Sequence, residues 1–287
     1  MTQNNPAHSH WLIVSDLDGT LLDHDDYSHA PVDRLLHQLD RHGVPVILNS
    51  SKTCTEMIGL RRELTNHHPF IVENGSAIFI PSGYFPHKPE AARRSGEFWV
   101  IEPGAPRARL LDFLAEDARE HGAPYLNFSA ASVDEIVAAT GLERDQAAAA
   151  QRRDYSEPLL WRGSETEKRA FCERATCAGF HTLEGGRFLH LLGRTDKGAA
   201  TLQLLRCYRD SRPGDYRLVA AGDSPNDLDM LAVADIAIIV RAPDRDAPVL
   251  QDDKARRVIH SEQYGPAGWR ECMEPLFSPL FSETKTQ

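Results

Sequence analysis

The chain has 287 residues, 41% of them hydrophobic and 26% charged, with a formal charge of −10. That length suits one substantial core, or a core with a smaller companion domain. The acidic balance argues against nucleic acid or an anionic membrane as partner. No stretch approaches the roughly 20 apolar residues of a membrane-spanning helix, and the first residues lack the basic-then-apolar layout of a secretion signal, so the cytoplasm is the expected compartment. The five cysteines are scattered without a CxxC pair, which suggests neither a disulfide framework nor a zinc site built on thiolates.

The run Trp11 to Val14 is apolar, turns polar at Ser15 to Asp18 and reaches Gly19, the pattern of a buried strand ending in a loop. Val32, Leu35, Leu36 and Leu39 then recur at helical intervals until Gly43. The same grammar repeats: a strand over Val44 to Leu48, a polar turn, and a helix from about Thr53 to Leu64. PFIVENGSAIFI reads as a third strand and a hairpin turning at Asn74-Gly75. Two successive strand-to-helix units predict a parallel sheet covered by helices.

After Pro81 the grammar changes. From about Phe85 to Leu192, helical stretches alternate with weak strand candidates in EPLLWRG and RFLHLLG, the pattern of an inserted α+β domain. The α/β grammar returns with a helix in KGAATLQLLRCYRD, a strand in YRLVAAGD, a helix in PNDLDMLAVA and a strand in DIAIIV; SEQYGPAGWRECMEPLF ends in a helix. The expected architecture is α/β, a doubly wound, mainly parallel Rossmann-like core over residues 1–85 and 193–287, interrupted by an α+β cap over residues 86–192.

Four segments carry chemistry, each at the end of a predicted strand or the start of a helix. Asp16 and Asp18 end the first strand, where open parallel sheets place their ligands. Phosphoryl transfer to a carboxylate needs an in-line nucleophile, a proton donor for the leaving oxygen and a divalent cation to offset negative charge. Asp16 can attack, while Asp18 can protonate the leaving alkoxide and later assist water; a solvated turn is the plainer reading of the pair alone. In NSSKT, the Ser50 hydroxyl and the backbone N–H groups that follow suit a phosphate oxygen, with Ser51 and Lys52 beside it, and a helix N-cap is equally consistent. Lys197, opening a helix in GRTDKGAA, can neutralise both nucleophile and phosphoryl group. GDSPNDLDML gathers Asp223, Asn226 and Asp227 in one acidic loop. Magnesium takes hard oxygen ligands and keeps waters, so Asp223 with Asp16 and the carbonyl of Asp18 would suffice, with Asp227 as a further ligand or as a group orienting a water or Lys197.

In this order, DLDGT, SSKT, Lys197 and GDSPND resemble the haloacid dehalogenase-like phosphatase superfamily across essentially the whole chain, and the long insertion resembles the cap of its C2 class. More narrowly, SDLDGTLLD, VILNSSKTCTEM, VENGSAI, LLWRGSE, GGRFLHLL, GDSPND and YGPAGWRE resemble the mannosyl-3-phosphoglycerate phosphatase family. Many superfamily members carry Thr-Gly-Arg where this chain has Ser50-Ser51-Lys52, a departure that favours the narrower family. The resemblance implies magnesium-dependent hydrolysis of 2-O-mannosyl-3-phosphoglycerate, a small anionic phosphorylated metabolite, to mannosylglycerate and phosphate. Glucosyl-3-phosphoglycerate or a broad set of sugar phosphates is the alternative substrate, and a non-catalytic phosphorylation-dependent signalling module is the rival of another class. Such a substrate also carries a carboxylate and hydroxyls, for which Arg162, Arg187 and His190 are the cap candidates, although surface arginines and a satisfied histidine explain them as well. Trp161 and Trp269 read as packing residues.

Overall fold

The alternation along the strands sets the architecture. A computed structural model describes residues 9–185, 188–243, 245–250 and 257–283. In strand β1 (Ser9–Ser15), Leu12 and Val14 enter one hydrophobic cluster and Ile13 enters another on the opposite face. A strand buried on both faces needs helices on both. The elements that follow are α1 (Asp33–Arg41), β2 (Val46–Asn49), α2 (Cys54–Glu63), β3 (Phe70–Val72), β4 (Ala77–Pro81), β5 (Arg93–Ser95) and β6 (Phe98–Ile101). Next come α3 (Arg107–His121), β7 (Tyr125–Asn127), α4 (Val133–Thr140), α5 (Arg144–Ala150), β8 (Ser156–Trp161), α6 (Glu165–Cys177), β9 (His181–Gly185) and β10 (Phe188–Leu192). The chain closes with α7 (Lys197–Ser211), β11 (Asp215–Gly222), α8 (Leu228–Ala232), β12 (Ile236–Arg241), β13 (Arg257–Tyr264) and α9 (Gly265–Glu283).

The main sheet has nine strands in the order β13-β12-β11-β1-β2-β3-β4-β6-β5. From β13 to β3 every pairing is parallel, and β4, β6 and β5 extend the sheet antiparallel. The order runs outward in both directions from β1 and β11, so the crevice at their carboxyl ends is the switch point where such sheets bind ligands. One face is covered by α1, α2 and α9 through Leu35, Leu39, Met57, Trp269, Met273 and Phe277. The other is covered by α7 and α8 through Ala200, Leu204, Leu205, Met230 and Leu231. Trp269 is fully buried, as a packing residue should be, and its Nε1 donates to Ser15 Oγ at 3.1 Å. That hydroxyl in turn donates to the carbonyl of Asp16 at 2.7 Å. The indole therefore packs directly beneath the end of β1.

The inserted domain has a four-stranded antiparallel sheet, β7-β8-β10-β9, backed by α3 and α6 through Leu110, Leu114, Phe171 and Ala175. A satellite cluster of Phe128, Ile136, Ala147 and Ala150 holds α4 and α5. The structure moves the boundary expected at residue 85: β5 and β6 pair with the main sheet, which runs to Ile101. Their sequence hid this because Arg93–Ser95 is polar and largely exposed, with no alternation to read. The edge strand β13 escaped for the same reason, since most of Arg257–Tyr264 faces solvent or is only half-buried. Among the described residues no helix is long and apolar enough to cross a membrane.

Replacing Trp269 by Ala should cost about 3–5 kcal/mol of unfolding free energy through the cavity left behind, and Trp269→Phe less, with loss of the indole hydrogen bond contributing about 1 kcal/mol. Urea unfolding checks both, and a near-neutral Trp269→Ala would contradict the packing described.

Candidate active site

Three segments remote in sequence converge at the carboxyl ends of β1 and β11. Asp16 follows β1, and its N–H donates to Ala221 O of β11 at 2.9 Å. Lys197, the first residue of α7, is 1% exposed and donates through Nζ to Asp16 Oδ1 at 2.5 Å and to Asp227 Oδ1 at 2.7 Å. The first turn of α7 is pinned from below: Asn49, ending β2, donates through Nδ2 to the carbonyl of Lys197 at 3.0 Å and to Thr201 Oγ1 at 3.2 Å. Asp227 lies in the turn Pro225–Asp227 and uses its second oxygen to accept the N–H groups of Asp223 and Ser224, both at 3.1 Å. Gly222 permits this turn, because a Cβ there would stand 2.4 Å from that of Asp227.

Asp223 accepts a hydrogen bond from Thr20 Oγ1 at 3.0 Å and has Arg245 Nη1 4.0 Å away. Gly19 backs it, in the left-handed region at φ +77°, with any Cβ only 2.9 Å from Asp223 Oδ2. Oxygens of Asp16, Asp223 and Asp227 lie within 4.8 Å of one another. Burial and then Asp227 push the Asp16 carboxyl well above its ordinary range, with Lys197 opposing. Asp223 is pushed up to about 6 by burial and Asp227. Burial works against the charge of Lys197, but Asp16 and Asp227 outweigh it and hold the ammonium protonated. Lys197 pairs with two of the three buried carboxylates and Arg245 only approaches the third at 4.0 Å, so negative charge is in excess, and the donors are all hard oxygens. The set fits a divalent cation of the magnesium type.

The loop after β2 forms the opposite lip. Ser50 Oγ accepts the Lys52 N–H at 3.2 Å, while Thr53, not Ser50, caps α2 by accepting the Glu56 N–H at 3.2 Å. The Lys52 ammonium reaches both oxygens of Asp18, at 2.7 and 2.8 Å, and stands 5.0 Å from the Tyr27 ring centroid. Asn226 donates to Asn74 Oδ1 at 3.4 Å. Between these groups and the inserted domain opens a cleft of about 460 Å³, lined by Asp16, Asp18, Ser51, Lys52, Asp223 and Asn226 from the core and by Phe128, Arg153 and His190 from the cap. Its size suits a small metabolite. Ser50, Lys197 and Asp227 stand behind this lining.

Arg187 lies outside the described residues. Arg162 is not brought to the cleft: it is an exposed residue just past β8, and its N–H donates to Pro124 O at 2.8 Å. Arg162 is a candidate in the sequence because an arginine can meet a carboxylate bidentately, but the cleft meets β8 at Pro158, near the strand's other end. The buried cap cation is Arg153, which sequence reasoning missed. Its Nη1 donates to Ser156 Oγ at 2.8 Å and to the carbonyl of Ser51 at 3.2 Å, bridging cap and core. Glu73, 1% exposed, accepts from Asp154 N–H at 2.9 Å, Tyr155 N–H at 3.2 Å and Ser156 Oγ at 2.6 Å, with Arg153 Nη1 3.9 Å away. Nε of Arg153 and Nδ1 of His190 meet no hydrogen-bonding group among the described residues. In the sequence, Arg153 sits in a polar QRRD loop, and its contacts with Ser51, Ser156 and the distant Glu73 form only in the fold.

The fold and this acid–lysine cluster suit phosphoryl transfer, and the relatives of the chain are phosphatases. A family model of haloacid dehalogenase-like hydrolases matches residues 13–88. A relative from Methanococcoides burtonii, named glucosyl-3-phosphoglycerate/mannosyl-3-phosphoglycerate phosphatase, is 34% identical over 267 residues, or 92% of this chain and 96% of its own. One of the same name from Persephonella marina is 33% identical over 94% of this chain and 98% of its own. Among solved structures, a protein from Streptococcus mutans superposes with a TM-score of 0.64 at 19% identity, covering 94% of this chain and 100% of that one. The sucrose-phosphatase of Synechocystis, solved with sucrose and phosphate, gives 0.58 at 16% identity over 94% and 98%. The chain thus belongs to the haloacid dehalogenase-like hydrolases and, within them, to the mannosyl-3-phosphoglycerate phosphatase family. It is a phosphatase.

Burial, with the charges of Arg153 and Lys197, pushes the His190 imidazole down to about 3 from its ordinary value of 6.5. The unfolded chain takes up a proton near pH 6.5 that the folded one refuses, so this histidine's contribution to stability is present above that pH and is lost as pH falls towards 3. Over that window the melting temperature of the wild type should fall more than that of His190→Asn; parallel decline would contradict the buried, neutral imidazole.

Proposed function

We propose that the chain hydrolyses the phosphate ester of 2-O-mannosyl-3-phosphoglycerate in a magnesium-dependent reaction, through an aspartyl-phosphate on Asp16. The observation that carries this reading is the buried Asp16–Lys197–Asp227 cluster opening on a cleft that also holds an incompletely paired cap arginine, Arg153. Asp16, Asp223 and Asp227 would hold the magnesium ion, with the carbonyl of Asp18, and the ion would offset charge on the transferring phosphoryl group.

Lys197 occupies Asp16 Oδ1, which leaves Oδ2 to attack phosphorus as the ester P–O bond breaks. Asp18 gives its proton to the departing alkoxide oxygen. In the second half, Asp18 takes a proton from water, the hydroxyl oxygen bonds to phosphorus, and the P–O bond to Asp16 breaks, releasing phosphate and restoring both carboxyl groups. To donate its proton Asp18 must part from Lys52, and the arriving phosphate offers that ammonium a second anion beside Ser51. Arg153 would meet the carboxylate of the glycerate, and His190, neutral, a sugar hydroxyl.

The names of both relatives join the glucosyl and mannosyl compounds, which favours a second reading in which this chain accepts the glucosyl compound as well. A panel of phosphate esters assayed with magnesium tests the proposal: kcat/KM should be highest for glycosyl-3-phosphoglycerates, and uniform slow turnover across simple sugar phosphates would overturn it. Arg153→Met should raise KM for the glycosyl-3-phosphoglycerate by about 10–100-fold, the worth of a hydrogen bond to a charged group. A small aryl phosphate without a carboxylate should be affected far less, and an equal loss on both substrates would remove Arg153 from carboxylate recognition.

A further inference from the structure

At the edge of the main sheet where the strands begin, opposite the Asp16 cluster, lies a second cavity of about 330 Å³ lined by His10, Asp40, His67, His68, Tyr84 and Tyr208 among others. Asp40 belongs to the last turn of α1, and His67 and His68 to the segment that leads into β3. The Nε2 atoms of His67 and His68 approach the same oxygen, Asp40 Oδ1, at 3.4 and 3.3 Å. All three ligand atoms lie within 4.8 Å of one another.

Those separations lie at the long end for hydrogen bonds, whose N–H···O distances mostly fall between about 2.7 and 3.2 Å. The two separations from Asp40 Oδ1 match another geometry: ligands about 2.0–2.1 Å from a tetrahedral centre, the distance of zinc to imidazole nitrogen and carboxylate oxygen, stand about 3.3–3.4 Å apart, and the third separation is within 4.8 Å. The outer side of the site is also prepared. Nδ1 of His68 lies 2.8 Å from the Tyr84 hydroxyl, which lies 2.8 Å from that of Tyr208. A hydrogen-bond partner on the far nitrogen is what metal-bound histidines use to fix ring and tautomer, and here two phenols relay it. His68 is buried, whereas His67 and Asp40 are reachable from solvent.

We infer that Asp40, His67 and His68 form a binding site for a divalent transition metal of the zinc class, with solvent from the cavity as the fourth ligand. Two imidazoles and one carboxylate suit zinc, cobalt or nickel, while the all-oxygen cluster around Asp16 suits magnesium. The metal would fasten the end of α1 to the approach to β3 and is independent of the phosphatase chemistry.

Cobalt(II) is the probe, because tetrahedral coordination gives strong visible absorption and six-coordinate oxygen sites give little. Titrating the full chain in excess magnesium should raise the tetrahedral bands to about one equivalent, zinc should remove them, and Asp223→Asn should leave them unchanged. The double variant His67→Ala/His68→Ala should lose them. Because His67 is mostly exposed, His67→Gln should fold as the wild type does and bind cobalt at least about ten-fold more weakly. No tetrahedral absorption in the wild type, or its persistence in the double variant, overturns the site.

Discussion

Everything at the catalytic end of this molecule depends on one buried ammonium. Lys197 Nζ holds Asp16 at 2.5 Å and Asp227 at 2.7 Å, with its own side chain out of water. Charge attraction is strongest where water is excluded, but each of these groups lost hydration to get there, so the cluster is stable only while all its partners are present. That requirement ties together β1, the turn after β11 and the start of α7, the last of which the chain reaches only after building the entire cap. Asn49 extends the constraint to β2 through the carbonyl of Lys197.

The cap is fastened to this arrangement by the short turn Glu73–Gly75. Glu73 and Asn74 both occupy the left-handed region, at φ +49° and +57°. The turn's backbone is bonded to the loop after β2, Glu73 N–H to Lys52 O and Asn74 N–H to Ser50 O, both at 3.0 Å. Its glutamate side chain meanwhile takes two N–H groups and a hydroxyl at the entry to β8. A backbone conformation that costs free energy persists where surroundings over-determine it, often next to a functional site. Here it sets where Arg153 stands over Ser51.

The core was legible in the sequence because β1, β11 and β12 are apolar runs ending in acidic or polar loops, and a parallel sheet buried on both faces writes itself that way. The cluster around Asp16 was legible for a related reason: Asp16, Lys197, Asp223 and Asp227 each sit at a strand end or a helix start. The cap was not. Its cleft-facing residues are fixed by contacts across long sequence separations: Arg162 ends an apolar strand but stays exposed away from the cleft, whereas Arg153, in a polar run, is held by Ser51 and Ser156 beside Glu73. His67 and His68 likewise carry no spacing signal of their own, since Asp40 joins them only through the packing of α1. Short polar strands at the sheet edges, such as Arg93–Ser95, left no periodicity to read.

In the proposed reaction the phosphoryl group passes through the carboxylate of Asp16. Acid-quenched turnover followed by borohydride reduction converts an aspartyl-phosphate to homoserine, which peptide mass spectrometry can place. Homoserine should form at position 16 and nowhere else, growing with substrate and absent without it. Steady turnover with residue 16 unmodified, or homoserine at position 18, 223 or 227 instead, would contradict it.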